Sequence, residues 1–143
     1  MRRAKKRDVR TQFAALCYRV KNGKVEVLMV TSRGTGRWII PKGWPMDGQT
    51  PAAAAATEAF EEAGVDGRVK DMCLGIYSYQ KDIGDDALPC VVAVFPVKVK
   101  RLHDNFPEAK ERKRKWFSRK KAAARVKESE LAQIIQNFDP RRL

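Results

Sequence analysis

GWPMDGQTPAAAAATEAFEEAGV, residues 43–65, decides how this chain reads. Turn-forming residues at 41–48 make a loop that feeds an alanine-rich run. Thr50 suits an N-cap, and Pro51 falls at the first helical position, where its missing N–H costs nothing. Alanines 52 to 56 supply helix propensity and allow close packing on another layer. Gly64 stands where a helix ends in a left-handed residue. The spacing therefore predicts a helix over 50–63. At about 100° per residue, Glu58, Glu61 and Glu62 fall within an arc of about 100° on it. No Lys or Arg occurs from Thr50 to Gly64, although the chain's formal charge is +13. Glu58 and Glu62 repel as an i,i+4 pair, and all three lie near the negative end of the helix dipole. A positive partner is missing, and a divalent cation is the simplest one. Oxygen-only ligands favour a hard ion, Mg²⁺ or Mn²⁺, over zinc. The plainer alternative is a solvated acidic face.

Basic groups flank this helix in sequence. Arg33, Arg37 and Lys42 precede it, suited to gripping phosphates bidentately or as point charges. A second cluster is densest at 110–121, where RKRK runs into Trp116 and Phe117. Aromatic residues beside the charges suggest an ordered strand end. Alternation there puts Arg112 and Arg114 on one face and Lys113 and Lys115 on the other, so at most one pair faces a site.

Composition sets the bounds. The chain has 143 residues with 43% hydrophobic content, which is ordinary for one globular domain able to bury roughly two-thirds of its unfolded surface. Thirty Lys and Arg against seventeen Asp and Glu, with a pI of about 10.0, invite an anionic partner. The opening MRRAKKRDVR reads as a basic arm at 1–10, a solubilising tail or a nucleic-acid contact, ahead of one domain at 11–143. Cys17, Cys73 and Cys90 are odd in number and lie in apolar runs. They read as buried free thiols in a reducing cytoplasm. His103 is the sole histidine, which excludes a histidine metal site. No G-x-S-x-G elbow accompanies it for a Ser-His-Asp triad, and no G-x4-G-K-[ST] phosphate loop occurs. No apolar run approaches the length of a membrane span.

Strands are expected at 12–20 and 24–31, joined by a turn at Asn22-Gly23, then at 38–40, 69–81, 88–100 and 113–117. Ser118 caps a helix over 119–125, and a last helix covers 128–138 with Leu131, Ile134, Ile135 and Phe138 on one face. A mixed β-sheet between helices, an α/β class, suits this order.

The stretch from Gly43 resembles the Nudix box, G-x5-E-x7-R-E-U-x-E-E-x-G-U. Gly43, Glu58, Ala59, Glu61, Glu62, Gly64 and Val65 match at the right spacing. Gln49 stands where that pattern has Glu, and Thr57 where it has Arg; in the family these two support the catalytic helix. TSRGTGR (31–37), WIIPKG (38–43) and RKRKWF (112–117) are similar to the diphosphoinositol polyphosphate phosphohydrolase branch. The resemblance implies an α/β/α sandwich around a central mixed sheet and a metal-dependent hydrolase of phosphoanhydrides. It implies that Glu58, Glu61 and Glu62 hold Mg²⁺ or Mn²⁺, with a backbone carbonyl at Lys42 or Gly43 completing the set. Glu61 or Glu62 is the expected general base, with Asp85 and Asp86 on the IGDDA loop (83–87) as substitutes or as plain turn residues. Arg33, Arg37, Lys42, Arg112 and Arg114 are the expected phosphate ligands. Three readings follow: a hydrolase of diphosphoinositol or dinucleoside polyphosphates, an enzyme acting on nucleotides or capped RNA ends, and a binding module with weakened catalysis. Trp38, Trp44 and Trp116 either stack a base or complete the core.

Overall fold

The strand β1 (Arg10–Lys21) alternates its side chains between two apolar layers. Ala14, Leu16 and Tyr18 join one core cluster, and Ala15 and Cys17 the other. The computed structural model describes residues 9–143, so most of the basic arm lies outside the described residues. Arg10 already belongs to the strand.

Asn22 and Gly23, at φ 53° and 76°, make a two-residue turn of the twist that hairpins favour. It leads into β2 (Lys24–Thr31), which pairs with β3 (Trp38–Ile39) and β8 (Arg114–Ser118). A two-residue strand, β4 (Lys42–Gly43), pairs with β1. Helix α1 (Pro51–Ala63) is followed by β5 (Val65–Val69), β6 (Gly75–Ile83) and β7 (Asp86–Leu102). The chain closes with α2 (Arg119–Arg125), α3 (Ser129–Asn137) and a 3₁₀ turn at Pro140–Arg142. β1 and β7 pair in parallel, and every other described pairing is antiparallel. The result is a mixed eight-stranded sheet.

Helix α1 covers one face through Ala52, Ala55, Ala59 and Ala63, which pack with Leu28, Val30, Phe95 and Val97. Small side chains let this helix lie close to the sheet, so its outward carboxylates stay near the strand ends. α2 and α3 cover the other face through Ala122, Ala123, Leu131 and Ile135. This is the expected α/β/α sandwich.

Two local expectations need correction. The strand expected at 69–81 is two strands, β5 and β6, separated by an irregular stretch at 70–74. Gly67 in β5 is a bulge position, where a Cβ would lie 2.3 Å from the Lys98 carbonyl oxygen. Cys17 and Cys90 are buried thiols, but Cys73 falls in that irregular stretch and is exposed. Among the described residues no helix is long and apolar enough to cross a membrane.

Candidate active site

Thr50 caps α1, its Oγ1 accepting the Ala53 N–H at 3.1 Å, and Gly64 ends the helix at φ 68°. The glutamates on its last turns are therefore held in fixed register. Glu58 and Glu62 are both buried and line a cleft of about 560 Å³ that opens between α1, β4, β6 and the loop at 32–37. Gly43 matters here because of what it lacks. A Cβ on it would lie 2.3 Å from Glu58 Cδ, so the carboxyl packs directly onto the β4 backbone.

The two carboxyls lie within hydrogen-bonding reach of each other, and burial pushes both above the ordinary carboxylate range, so the pair holds a proton between them. Burial pushes Glu62 up to about 8, helped by the hydrogen bond with Glu58 and by the charges of Glu58 and Glu108. Arg112 pulls the other way but does not win. Its nearest guanidinium nitrogen is 3.6 Å from Glu62 Oε1, beyond good hydrogen-bond length. Burial also raises Glu58. A shared proton is what two desolvated carboxylates adopt when no cation separates them. The donor set is oxygen-only, and a hard divalent ion would take the proton's place, so these residues fit one. Among the described residues no three acidic, histidine or cysteine groups converge into a preformed cage.

The third expected ligand lies apart. Glu61 is about 60° round the helix from Glu58, on the side away from Glu62, and does not line the cleft. Its backbone carbonyl instead accepts the Glu108 N–H at 3.0 Å, tying the 104–112 segment to α1. That bond brings in Glu108, which lines the cleft beside Glu58 and Glu62. Sequence reasoning missed Glu108; a lone acidic pair, Glu108 and Glu111, inside a basic run was the available signal.

Among the expected phosphate ligands, Arg33, Arg37 and Lys42 all line the cleft. The loop at 32–37 is closed by Ser32 N–H to Arg37 O at 2.7 Å, with left-handed Gly34 and Gly36 turning it. Arg33 is well exposed and reaches Glu108 at 3.7 Å and Glu111 at 3.4 Å. The Lys42 ammonium lies 5.1 Å over the Tyr79 ring, and burial lowers its pKa while Glu62 partly restores it.

Arg112 also reaches the cleft, but as a buried brace. Its side chain is 8% exposed and binds Glu108 at 2.9 Å and the Thr31 carbonyl at 2.9 Å. It is the protein's own counter-charge to the acidic helix, supplied from outside that helix. Arg114 is not in the cleft at all. Its Nη1 donates to the carbonyls of Ala63 and His103, each at 2.7 Å, and so caps the C-terminus of α1.

Gln49 and Thr57, the two departures from the Nudix pattern, touch each other. Thr57 Oγ1 has Gln49 Oε1 at 3.2 Å and the Ala53 carbonyl at 3.1 Å, two acceptors for one proton. A neutral contact thus joins loop and helix where the pattern has charged residues. Asp85 lies at the β6–β7 hairpin turn and Asp86 opens β7, and neither lines the cleft. His103 pairs with Asp66 at 3.8 Å and stacks edge-on against Phe60, away from the site.

A family model described as the NUDIX domain matches residues 10–138, most of the chain. This chain belongs to the Nudix family. It is 33% identical over 129 residues to the mitochondrial Nudix hydrolase 12 of Arabidopsis thaliana, covering 84% of this chain and 64% of that protein. It is 32% identical over 106 residues to the mouse diphosphoinositol polyphosphate phosphohydrolase 3-alpha, covering 73% and 61% respectively. The chain thus spans somewhat under two-thirds of the length of these Nudix relatives. Among solved structures, the Escherichia coli dihydroneopterin triphosphate pyrophosphohydrolase superposes with a TM-score of 0.68 at 19% identity, over 90% of this chain and 93% of that one. At that identity the likeness concerns the Nudix fold.

Proposed function

We propose that this protein is a metal-dependent hydrolase that cleaves a phosphoanhydride bond in a polyphosphorylated small molecule, such as a diphosphoinositol or dinucleoside polyphosphate. The observation that carries the reading is the buried, proton-sharing pair Glu58 and Glu62, lining one cleft together with Arg33, Arg37 and Lys42. Carboxylates and cations lining one cleft suit a ligand that is both metal-binding and highly anionic. Glu58 and Glu62 would hold Mg²⁺ or Mn²⁺, with Glu108 beside them, the Lys42–Gly43 backbone within the same wall, and Glu61 at the edge of the helix face. When bound, such an ion supplies Lewis-acid polarisation of a phosphoryl oxygen and a water of lowered pKa.

The chain's own residues do the rest. Arg33 and Arg37 extend from a loop whose backbone is closed on itself, so they present charge at a fixed mouth. Lys42 sits deeper and, being half-desolvated, binds phosphate more strongly than an exposed lysine. Arg112 holds Glu62 and Glu108 in place rather than reaching for substrate. Glu61 or Glu62 would take the proton of the attacking water, Glu62 once a bound ion has displaced the proton that its burial retains.

Phosphate release from a panel of base-bearing and base-free polyphosphates, with Mg²⁺ and with EDTA, tests the reading. Turnover of at least one polyphosphate with Mg²⁺, lost in EDTA, is expected. Full activity in EDTA would sink the metal-dependent mechanism.

A further inference from the structure

Part of the basic run at 110–121 has no place in the cleft. Arg112 braces Glu62 and Glu108, and Arg114 caps α1. Strand alternation turns Lys113 and Lys115 to the other face, together with Phe117. Both lysines are exposed, while Phe117 joins the core beneath α2 and α3. β8 is also an edge of the sheet. Val30 pairs with Ile39 and with Arg114, so β3 and β8 flank β2 from opposite sides. Among the described residues β8 pairs with β2 alone, which leaves its outer row of N–H and C=O groups for another strand.

A groove of about 460 Å³ lies where this edge meets α2. The consecutive strand residues 115–118 line it, and so do Lys121, Ala124 and Arg125, which share one face of the helix. Consecutive strand residues point to opposite faces, so a groove touching all of 115–118 runs along the rim of the strand. It shares no lining residue with the cleft that holds Glu58 and Glu62.

The charge of this groove is one-sided. Lys115 and Arg125 lie 5.4 and 5.9 Å from the same Phe117 ring, and Lys121 stands beside them. Among the described residues none of these cations is in an ion pair. The acid that lines the groove, Glu26, is already held by Arg19 at 2.8 Å. Phe117 is 5% exposed, and Trp116 lies between the core and the Arg19 guanidinium at 4.1 Å. Neither ring is open for a base to stack on.

We infer that the rim of β8 and the face of α2 form a docking groove for an extended acidic peptide segment of a partner protein. The segment adds to the sheet as a further strand beside β8, and its carboxylates meet Lys115, Lys121 and Arg125. Phosphate chains offer acceptors and would leave the outer carbonyls of the strand unmatched, whereas a peptide strand matches donors and acceptors alike. Lysines on an edge strand repel most strands, a second copy of β8 included, because like charges directly opposite destabilise a pair. The same lysines select an acidic strand. This groove stands apart from the hydrolase reading and takes a partner rather than a substrate.

The test uses the intact chain and a fluorescein-labelled peptide that alternates Glu and Thr and is long enough to span the five residues of β8, read by anisotropy. Saturable binding is expected. Lys115→Ala, Lys121→Ala and Arg125→Ala together should weaken it by about tenfold or more. Arg68→Ala, Lys98→Ala and Lys100→Ala remove the same charge from exposed positions on the β5–β7 side of the sheet and should change it by less than about twofold. Two forms of the peptide, N-methylated at alternate residues in opposite phase, keep the charge and block one backbone edge each. One should lose about tenfold in affinity and the other should not. No saturable binding, equal losses in the two triple variants, or equal affinity of the two N-methylated forms would overturn the inference. Tighter binding of a single-stranded oligonucleotide of equal charge would also overturn it and assign the groove to nucleic acid.

Discussion

Glu62 shows how one side chain can be costly to the fold and useful to the site. Only about 6% of its side chain reaches solvent, and it shares a proton with Glu58 while Arg112 stands at 3.6 Å. Its carboxyl keeps its proton in the folded chain up to about pH 8, against an ordinary value of 4.5. A carboxyl whose pKa is raised by folding contributes stability that is fully present below 4.5 and lost as pH rises through about 8. Metal-free protein should therefore lose stability between pH 5 and 8. Glu62→Gln, which cannot ionise, should show a smaller loss over the same range in urea denaturation. Parallel slopes for the two proteins would mean that Glu62 is not the titrating group. Of this arrangement, the sequence made visible the glutamates and their lack of partners within the helix. Arg112 was expected at the site as a phosphate ligand, but its bracing role and the arrival of Glu108 depend on a backbone bond to Glu61 that no local pattern announces.

At the scale of elements, local chemistry was legible wherever a segment carried its own start and stop. α1 begins at the Thr50-Pro51 cap and ends at Gly64, α2 begins at Ser118, and the Asn22-Gly23 hairpin keeps its register. Elements defined only by a distant partner were not legible. β4 is two residues long between Pro41 and Pro45, and β5 contains an Asp-Gly pair that is a bulge against β7. Arg114 belongs to the same class. Strand alternation paired it with Arg112, yet its guanidinium is spent on the last carbonyls of α1. Removing it leaves those carbonyls without their charged donor and unfastens α1 from the 103–104 turn. Arg114→Ala should lower folding stability by about 1–3 kcal/mol, measured by denaturation, and leave KM for a polyphosphate nearly unchanged. A large rise in KM with unchanged stability would return Arg114 to the substrate site.

For the whole molecule, a formal charge of +13 coexists with a buried acidic centre. The sheet explains how both are kept. Helix α1 presents its carboxylates at one end of the strands, while the loop at 32–37, Lys42 and β6 bring basic and aromatic groups to the same cleft. The Nudix pattern in residues 43–65 made the fold and the acidic half of the site readable in advance. The rest of the cleft lining was half readable: Arg33, Arg37 and Lys42 stand close by in sequence, but Tyr79 and Lys81 arrive only through the β6–β7 pairing beside β1. The pattern's two departures, Gln49 and Thr57, meet in a neutral contact, so loop and helix remain joined without an ion pair. The central claim is that Glu58 and Glu62 carry metal-dependent cleavage of a phosphoanhydride. Mg²⁺-dependent phosphate release by the intact chain, set beside Glu58→Gln and Glu62→Gln, tests it most directly. Both variants should remain folded and lose about a hundredfold or more in kcat; folded variants that keep their Mg²⁺-dependent turnover would contradict it.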